Sequence, residues 1–154
     1  MAERSSVAFL EEGAFIAPKF DRDGLIPVVT TDAQSGDVLM LGFMNPEALR
    51  RSIETREAHY WSRSRGALWR KGATSGLVQR IVEMGIDDDQ DAIWLRVSVE
   101  ALGASCHVGY RSCFFRSVTM GAPGETPVSL SFVETEKVFD PRHIYGDAPN
   151  PTTL

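Results

Sequence analysis

Two apolar runs separated by a polar turn predict a β-hairpin early in the chain. The first run covers 25–32 (LIPVVTTD) and the second covers 38–44 (VLMLGFM), and both are partly β-branched. The residues between them, AQSGD, favour a turn because glycine and small polar residues adopt turn conformations readily. Residues 1–20, which precede the hairpin, are interpreted as a loosely ordered N-terminal arm.

One clear helix is predicted directly after the hairpin, over residues about 46–56. Asn45 suits the N-cap, and Pro46 suits the first helical position, where a backbone N–H is not needed. Leu49 and Ile53 are spaced so that they share one face of such a helix.

Later apolar runs predict further strands, at 58–63, 77–84, 92–100 and 113–119. From Ile93 to Val99 apolar residues alternate with other types, which is the period-two pattern of a half-buried strand. The sequence therefore predicts an α+β fold with mainly antiparallel strands. All 154 residues are predicted to form a single domain, whose C-terminal tail (about 121–154) wraps the surface or a partner subunit.

Charge and composition exclude some classes of protein. The net charge of −5 argues against general nucleic-acid binding, and the first residues contain no long apolar run that would predict a signal peptide or membrane span. The cytoplasm is the predicted location. In that reducing compartment Cys106 and Cys113 are expected to be metal ligands, redox groups or core residues rather than a structural disulfide.

A basic segment lies directly before an acidic one. Residues 58–82 contain five cations and no carboxylate, whereas 83–91 contain five carboxylates. Within the basic part, the stretch YWSRSRGALWRKGATSG interleaves cations with Trp61, Trp69, hydroxyls and glycines, a combination that suits a small phosphorylated nucleotide. The alternatives are a solvated basic loop with two core tryptophans, or a single-stranded nucleic-acid site.

The acidic stretch DDDQD indicates a site for a hard divalent cation. Asp87, Asp89 and Asp91 point to one side if the backbone is extended, and converging carboxylates suit Mg²⁺. The stretch lacks the glycine and glutamate positions of an EF-hand. An exposed acidic turn is the alternative interpretation.

The spacing of Cys106 and Cys113 matches neither a zinc finger nor a zinc deaminase. Two thiolates do not complete a zinc site, so a third ligand must come from elsewhere in the protein. The available candidates are His59, His107, His143 and the aspartates. The alternative is a pair of buried structural cysteines.

Four motifs taken in order resemble the phosphoribosyl-AMP cyclohydrolases, a family of histidine biosynthesis: GFMNPEAL, YWSRSRGALWRKGATSG, DDDQDA and CHVGYRSCF. The likeness runs from about Phe20 to Arg116. It implies a hydrolase that adds water at C6 of the adenine ring of 1-(5-phosphoribosyl)-AMP and breaks the N1–C6 bond. It further implies an intertwined homodimer with Zn²⁺ at the subunit interface and Mg²⁺ as a second cofactor. The charge and the N-terminal sequence, for their part, predict no nucleic-acid or membrane partner.

The resemblance also implies roles for individual residues. The residues at the family's substrate-binding positions are Arg63, Arg65, Trp69, Lys71 and Ser75. Those at its Mg²⁺-binding positions are Asp87, Asp89 and Asp91. Zn²⁺ would be bound by Cys106 and Cys113 together with the residue at position 88 of the other subunit. For proton transfer His107 is the first choice because it lies beside a ligand, and His59 is the second. For either histidine a purely structural role is the alternative.

One position departs from the family pattern in an important way. The family has its first zinc cysteine where this chain has Asp88. A carboxylate there keeps the ligand charge but is a harder donor than sulfur, which weakens zinc and favours harder metals. Three interpretations of Asp88 are open. It replaces the thiolate as a zinc ligand, or it marks a non-catalytic nucleotide-binding relative that has lost its zinc, or it was introduced deliberately. Val108 and Tyr110 also differ from the family, which commonly has Thr and a basic residue there, so one possible phosphate contact is lost.

Overall fold

A four-stranded sheet forms the centre of the fold in the computed structural model, which describes residues 1–121, 124 and 127–152. The strands are β1 Ile26–Asp32, β2 Val38–Met44, β3 His59–Ser62, β4 Ala67–Arg70, β5 Gln79–Ile86, β6 Ile93–Val99, β7 Arg116–Val118 and β8 Leu130–Phe132. The helices are α1 Val7–Glu12, α2 Pro46–Thr55 and α3 Pro141–Tyr145.

The central sheet has the strand order β2-β1-β6-β5. Strand β1 runs antiparallel to β2 and parallel to β6, and β5 runs antiparallel to β6. Two antiparallel pairs, β3 with β4 and β7 with β8, form separate small sheets. The predicted α+β fold with mainly antiparallel strands is confirmed, with one parallel pair at the centre of the sheet.

The hairpin and the long helix lie where the sequence predicts them. The Asn45 side chain accepts a hydrogen bond from the Ala48 N–H at 2.8 Å and so caps α2. The helix ends at Thr55, and the C-cap residue Arg56 has a left-handed φ of 56°. Leu49 is fully buried, but Ile53 stays 49% exposed, so the buried stripe is narrower than the spacing suggests.

The alternating strand is half-buried as predicted. In β6, Ile93, Leu95 and Val97 are buried, whereas Trp94 is 44% exposed on the other face. The buried residues of β6 pack with those of β1, β2 and α2 in one core cluster. That core gives β3 and β4 a fixed surface on which to lie.

Some predicted elements differ from the structure. The run 113–119 forms a strand only at 116–118, because Cys113 instead donates its N–H to Leu39 O at 2.7 Å and turns the chain onto β2. Strands β4 and β8 were not predicted, since each has only three or four residues. Helices α1 and α3 were also missed, being six and five residues long and too short for a helical period.

Both termini pack against the central part of the chain. Residues 1–20, predicted to be loosely ordered, contain α1, and the Ala17 N–H donates to the buried Gln90 side chain at 2.6 Å. The predicted tail (about 121–154) contributes β8 and α3. Its residues 122, 123, 125, 126, 153 and 154 lie outside the described part of the chain. None of the described helices is long and apolar enough to cross a membrane.

Candidate functional site

A cavity of about 460 Å³ lies between the basic segment, the cysteine loop (105–113) and the C-terminal segment (137–151). Six residues that the sequence singles out line it: Arg65, Trp69, Lys71, Ser75, His107 and Cys113. Its volume falls in the range that a small-molecule ligand occupies. The structure thus brings the basic motif and the cysteine motif to one place, although 30 or more residues separate them along the chain.

The β3–β4 hairpin positions the basic and aromatic side chains. Trp69 lies on β4 and packs against Tyr60 of β3, with ring centroids 5.7 Å apart. The Arg65 guanidinium lies 5.6 Å from the Trp69 ring centroid and the Lys71 ammonium 5.2 Å from it. Two cations therefore flank one indole, an arrangement that offers a stacking surface and positive charge together.

Lys71 is unusually buried for a lysine, at 4% exposed. Its ammonium donates to Ser105 O at 2.7 Å, which ties the basic segment to the cysteine loop. Loss of hydration lowers the pKa of Lys71 below its usual value, while the neighbouring thiols oppose that change. The buried ammonium thus places positive charge directly beside the two sulfurs.

Arg63 lies outside the cavity lining. Its guanidinium stacks over the Phe43 ring at 4.0 Å from the centroid. This contact places Arg63 against β2, on the hairpin that also carries Arg65.

Cys106 and Cys113 lie side by side with their thiols free of any disulfide. A hydrogen bond from Cys113, supported by backbone N–H groups and Lys71 and opposed by burial, lowers the pKa of Cys106 to about 6. The same hydrogen bond raises the pKa of Cys113. The hydrogen bond between the two sulfurs thus favours a thiolate at this pair, and a thiolate is the form of cysteine that binds a soft divalent metal.

Backbone and carboxylate contacts fix the loop that carries the thiols. Gly109 N–H donates to Cys106 O at 3.1 Å and closes a tight turn. The Glu134 carboxylate accepts from the N–H groups of Arg111 and Ser112 at 2.9 and 3.1 Å. Ser112 Oγ in turn donates to Val38 O at 2.7 Å, so the loop is anchored to β2.

The two candidate catalytic histidines occupy different environments. His107 lines the cavity, and its Nε2 is buried without a hydrogen-bond partner in the described residues. Burial lowers the pKa of His107, although a hydrogen bond to the Asn150 side chain opposes that shift. His59 is buried away from the cavity lining, and its Nδ1 lies 2.8 Å from Glu57 O. Because a carbonyl oxygen only accepts, that nitrogen carries a proton.

The acidic stretch forms a turn that gathers three carboxylates. One oxygen of each of Asp87, Asp89 and Asp91 lies within 4.8 Å of the others. The backbone is not extended, as the sequence argument assumed, because Gln90 has φ of 61° and Asp87 Oδ1 accepts from the Asp91 N–H at 2.9 Å. Three converging oxygens fit a hard divalent cation.

Asp88 is exposed at the tip of this turn and joins no cluster of ligands. Within the described ranges, no third His, Cys, Asp or Glu atom of the chain converges with the sulfurs of Cys106 and Cys113. His143, the third histidine considered as a zinc ligand, is exposed on α3. A complete zinc site around the thiol pair thus needs a ligand from outside the described part of one chain.

The C-terminal segment lines the cavity, which sequence reasoning missed. Pro141, Arg142, Tyr145 and the residues 148–151 form one of its walls. The segment carries no family motif, and only its buried aromatic residue, Phe139, signals that it packs against the rest of the chain.

Fold and cavity together define an α+β protein with a cationic and aromatic cavity beside a pair of interacting thiols. A family profile described as phosphoribosyl-AMP cyclohydrolase matches residues 40–115. A phosphoribosyl-AMP cyclohydrolase of Nitrobacter hamburgensis is 55% identical over 141 residues, which cover 92% of this chain and 93% of the relative. One of Bradyrhizobium sp. is 59% identical over 128 residues, covering 83% and 95%. The chain belongs to the phosphoribosyl-AMP cyclohydrolase family, and the resemblance found in the sequence is confirmed.

Proposed function

We propose that this protein opens the adenine ring of 1-(5-phosphoribosyl)-AMP at the N1–C6 bond, as a step of histidine biosynthesis. The single observation that carries the proposal is the cavity of a family member in which cations, an indole, His107 and Cys113 of the thiol pair meet. The two free thiols fit the cytoplasm, which stays the predicted location.

The cavity supplies groups suited to each part of the nucleotide. Trp69 offers a ring face on which the purine stacks, while Arg65 and Lys71 supply positive charge for phosphate. The Ser75 hydroxyl adds a neutral hydrogen-bonding group. In an acidic chain this local excess of cations attracts a doubly phosphorylated substrate.

The proposed metal ligands divide between two sites. Asp87, Asp89 and Asp91 would hold Mg²⁺. Cys106 and Cys113 would hold Zn²⁺ with Asp88 of the partner subunit, in a homodimer. The exposure of Asp88 at the tip of a turn supports this assignment, because a second copy can approach it.

The proposed reaction needs two groups, a Lewis acid that activates water and a side chain that transfers protons. Zinc, when bound, lowers the pKa of water to about 7 and so provides a nucleophile near neutral pH. The Nε2 of His107, which has no hydrogen-bond partner among the described residues, can accept a proton from the attacking water and return it to N1. Addition at C6 followed by N1–C6 cleavage converts C6 into a carboxamide carbon and leaves N1 in an amidine.

The test of the proposal is an assay of the purified protein with phosphoribosyl-AMP, Zn²⁺ and Mg²⁺. Ring opening is expected to change the ultraviolet spectrum and to require the metals. A folded, metal-loaded protein that never opens the ring would overturn the proposal.

Arg65→Ala is expected to raise KM by about tenfold while kcat changes little, because a charge-assisted phosphate contact contributes about 1.5–3 kcal/mol. Steady-state kinetics measure both constants. Arg22→Ala is the matched control, since Arg22 is an exposed arginine that does not line the cavity. An unchanged KM in Arg65→Ala would contradict the assignment.

The competing function is nucleotide binding without catalysis, and the specific observation that favours it is Asp88. If the carboxylate no longer holds zinc, Asp88→Cys should restore zinc content and raise activity by orders of magnitude. If Asp88 is a working ligand, we expect a change of less than about tenfold, since cysteine and carboxylate are both accepted zinc ligands. Zinc analysis and turnover numbers of both proteins decide between the two.

A further inference from the structure

The C-terminal segment (137–151) packs against the rest of the chain and forms one wall of the cavity. Val138 N–H donates to Gly109 O at 2.8 Å, so the segment is hydrogen-bonded to the cysteine loop. Phe139 is 9% exposed and packs with the buried residues Leu77 and Ala104. Helix α3 follows at once, capped by the Asp140 side chain.

Gly109 explains how closely the segment approaches. Its φ of 102° lies in the region that favours glycine, and a Cβ there would meet Phe139 O at 2.4 Å. Only a residue without a side chain allows the segment to lie against the cysteine loop at this point. The loop that presents Cys106 and His107 is therefore also the support of the C-terminal wall.

This wall carries an arginine whose guanidinium pairs with no carboxylate in the described part of the chain. Among the described residues, six arginines form ion pairs: Arg50, Arg51, Arg70, Arg80, Arg96 and Arg111. Arg142 lines the cavity and forms none with any carboxylate that the structure describes. The nearby Asp140 accepts from the Arg142 backbone N–H at 2.9 Å, which caps the helix and leaves the guanidinium free.

The substrate of the proposed function needs cations at two separate places. One of its two phosphates is linked through ribose to N9 of the purine and the other through ribose to N1, so they extend from opposite sides of the base. Arg65 and Lys71 belong to one wall of the cavity, and Arg142 belongs to the wall formed by α3. A single cluster of cations cannot bind both phosphates at once, whereas cations on two separate walls of the cavity can each bind one.

We propose that Arg142 binds one phosphate of the substrate while the basic segment binds the other. This inference rests on the proposed function, because it takes the substrate from there. A guanidinium free of carboxylates keeps its donors available for two parallel hydrogen bonds to phosphate. The C-terminal segment is thus part of the substrate site rather than only a cover for the core.

The test compares Arg142→Gln with Arg22→Gln, which removes the same charge at an exposed position outside the cavity. In steady-state kinetics with phosphoribosyl-AMP, Arg142→Gln is expected to raise KM by about tenfold or more and to leave kcat within about threefold. The rise of KM with added salt should be shallower than in the wild type, because one phosphate contact is missing. Arg142→Lys should recover part of the loss.

A KM for Arg142→Gln within twofold of wild type, or an equal rise in Arg22→Gln, would overturn the inference. A lowered melting temperature together with a fall in kcat would assign Arg142 a structural role and would also overturn it. Wild-type turnover tests the proposed function separately. If the wild type does not turn over, calorimetric titration with phosphoribosyl-AMP still compares the affinities of the wild type and Arg142→Gln. Equal affinities would reject the role of Arg142.

Discussion

Replacing Cys106 with alanine is expected to abolish zinc binding and to reduce ring opening by about 10³-fold or more, since the site then lacks the nucleophile that a metal supplies. Cys106 is 3% exposed, and the hydrogen bond from Cys113 lowers the pKa of its thiol, which favours the thiolate that binds a metal. Its removal leaves Cys113 as the only sulfur in the chain that can bind zinc. One thiolate with one distant carboxylate is too few ligands for a stable site.

The measurement is zinc content per chain after dialysis, together with turnover. Within one chain, the cluster of Asp87, Asp89 and Asp91 contains neither sulfur, so Mn²⁺ binding there, followed by paramagnetic resonance, should persist and provides an internal control. Cys106→Ser separates ligation from packing, because the hydroxyl keeps the size and hydrogen bonding but is a poor ligand. Stoichiometric zinc in folded Cys106→Ala would show that the thiol pair does not hold the metal.

Local sequence signals predicted the central elements because those elements are fixed by local physics. The cap at Asn45 and the turn between β1 and β2 place helix and hairpin within one residue of the structure. The alternation in β6 predicted its buried face for the same reason, since a strand exposes alternate residues to the core. The parallel pairing of β1 with β6 could not be predicted, because it depends on contacts between distant segments.

The three carboxylates of the acidic turn converge as the sequence predicts, but through a different backbone conformation. The sequence argument assumed an extended backbone to bring Asp87, Asp89 and Asp91 together. In the structure a left-handed Gln90 and hydrogen bonds to Asp87 produce the convergence instead. Gln90 is held by the N-terminal arm, whose Lys19 N–H donates to Gln90 O at 2.7 Å. Nothing in the local sequence reveals that the arm supports this turn.

The candidate site was predicted in part for a similar reason. Motifs on the hairpin and the cysteine loop carry recognisable residue types, and four of the five predicted substrate-binding residues line the cavity. The C-terminal wall was missed because its contacts, such as Val138 with Gly109, join distant parts of the chain through the backbone. Gly109 makes room for the C-terminal segment because it has no side chain, but the sequence shows only a glycine at this position and not what packs against it.

Changing His107 to glutamine is expected to lower kcat by about 10²–10⁴-fold, the usual contribution of a positioned acid–base group. Glutamine is similar in size and still polar, but it cannot carry a proton between the water and N1. KM and zinc content should change by less than about threefold, since His107 is assigned neither to phosphate nor to metal. Imidazole added to the assay should restore part of the activity, because the removed ring leaves room in the cavity.

Two other histidines make matched controls for this variant. His143→Gln changes an exposed residue of α3, and His59→Gln changes a buried residue outside the cavity lining. We expect full activity from the first. The second should lower the melting temperature, since His59 Nδ1 bonds to Glu57 O, without a comparable fall in kcat of the folded protein. If His59→Gln lost as much kcat as His107→Gln while remaining folded, or if His107→Gln kept kcat within tenfold of wild type, proton transfer would not belong to His107.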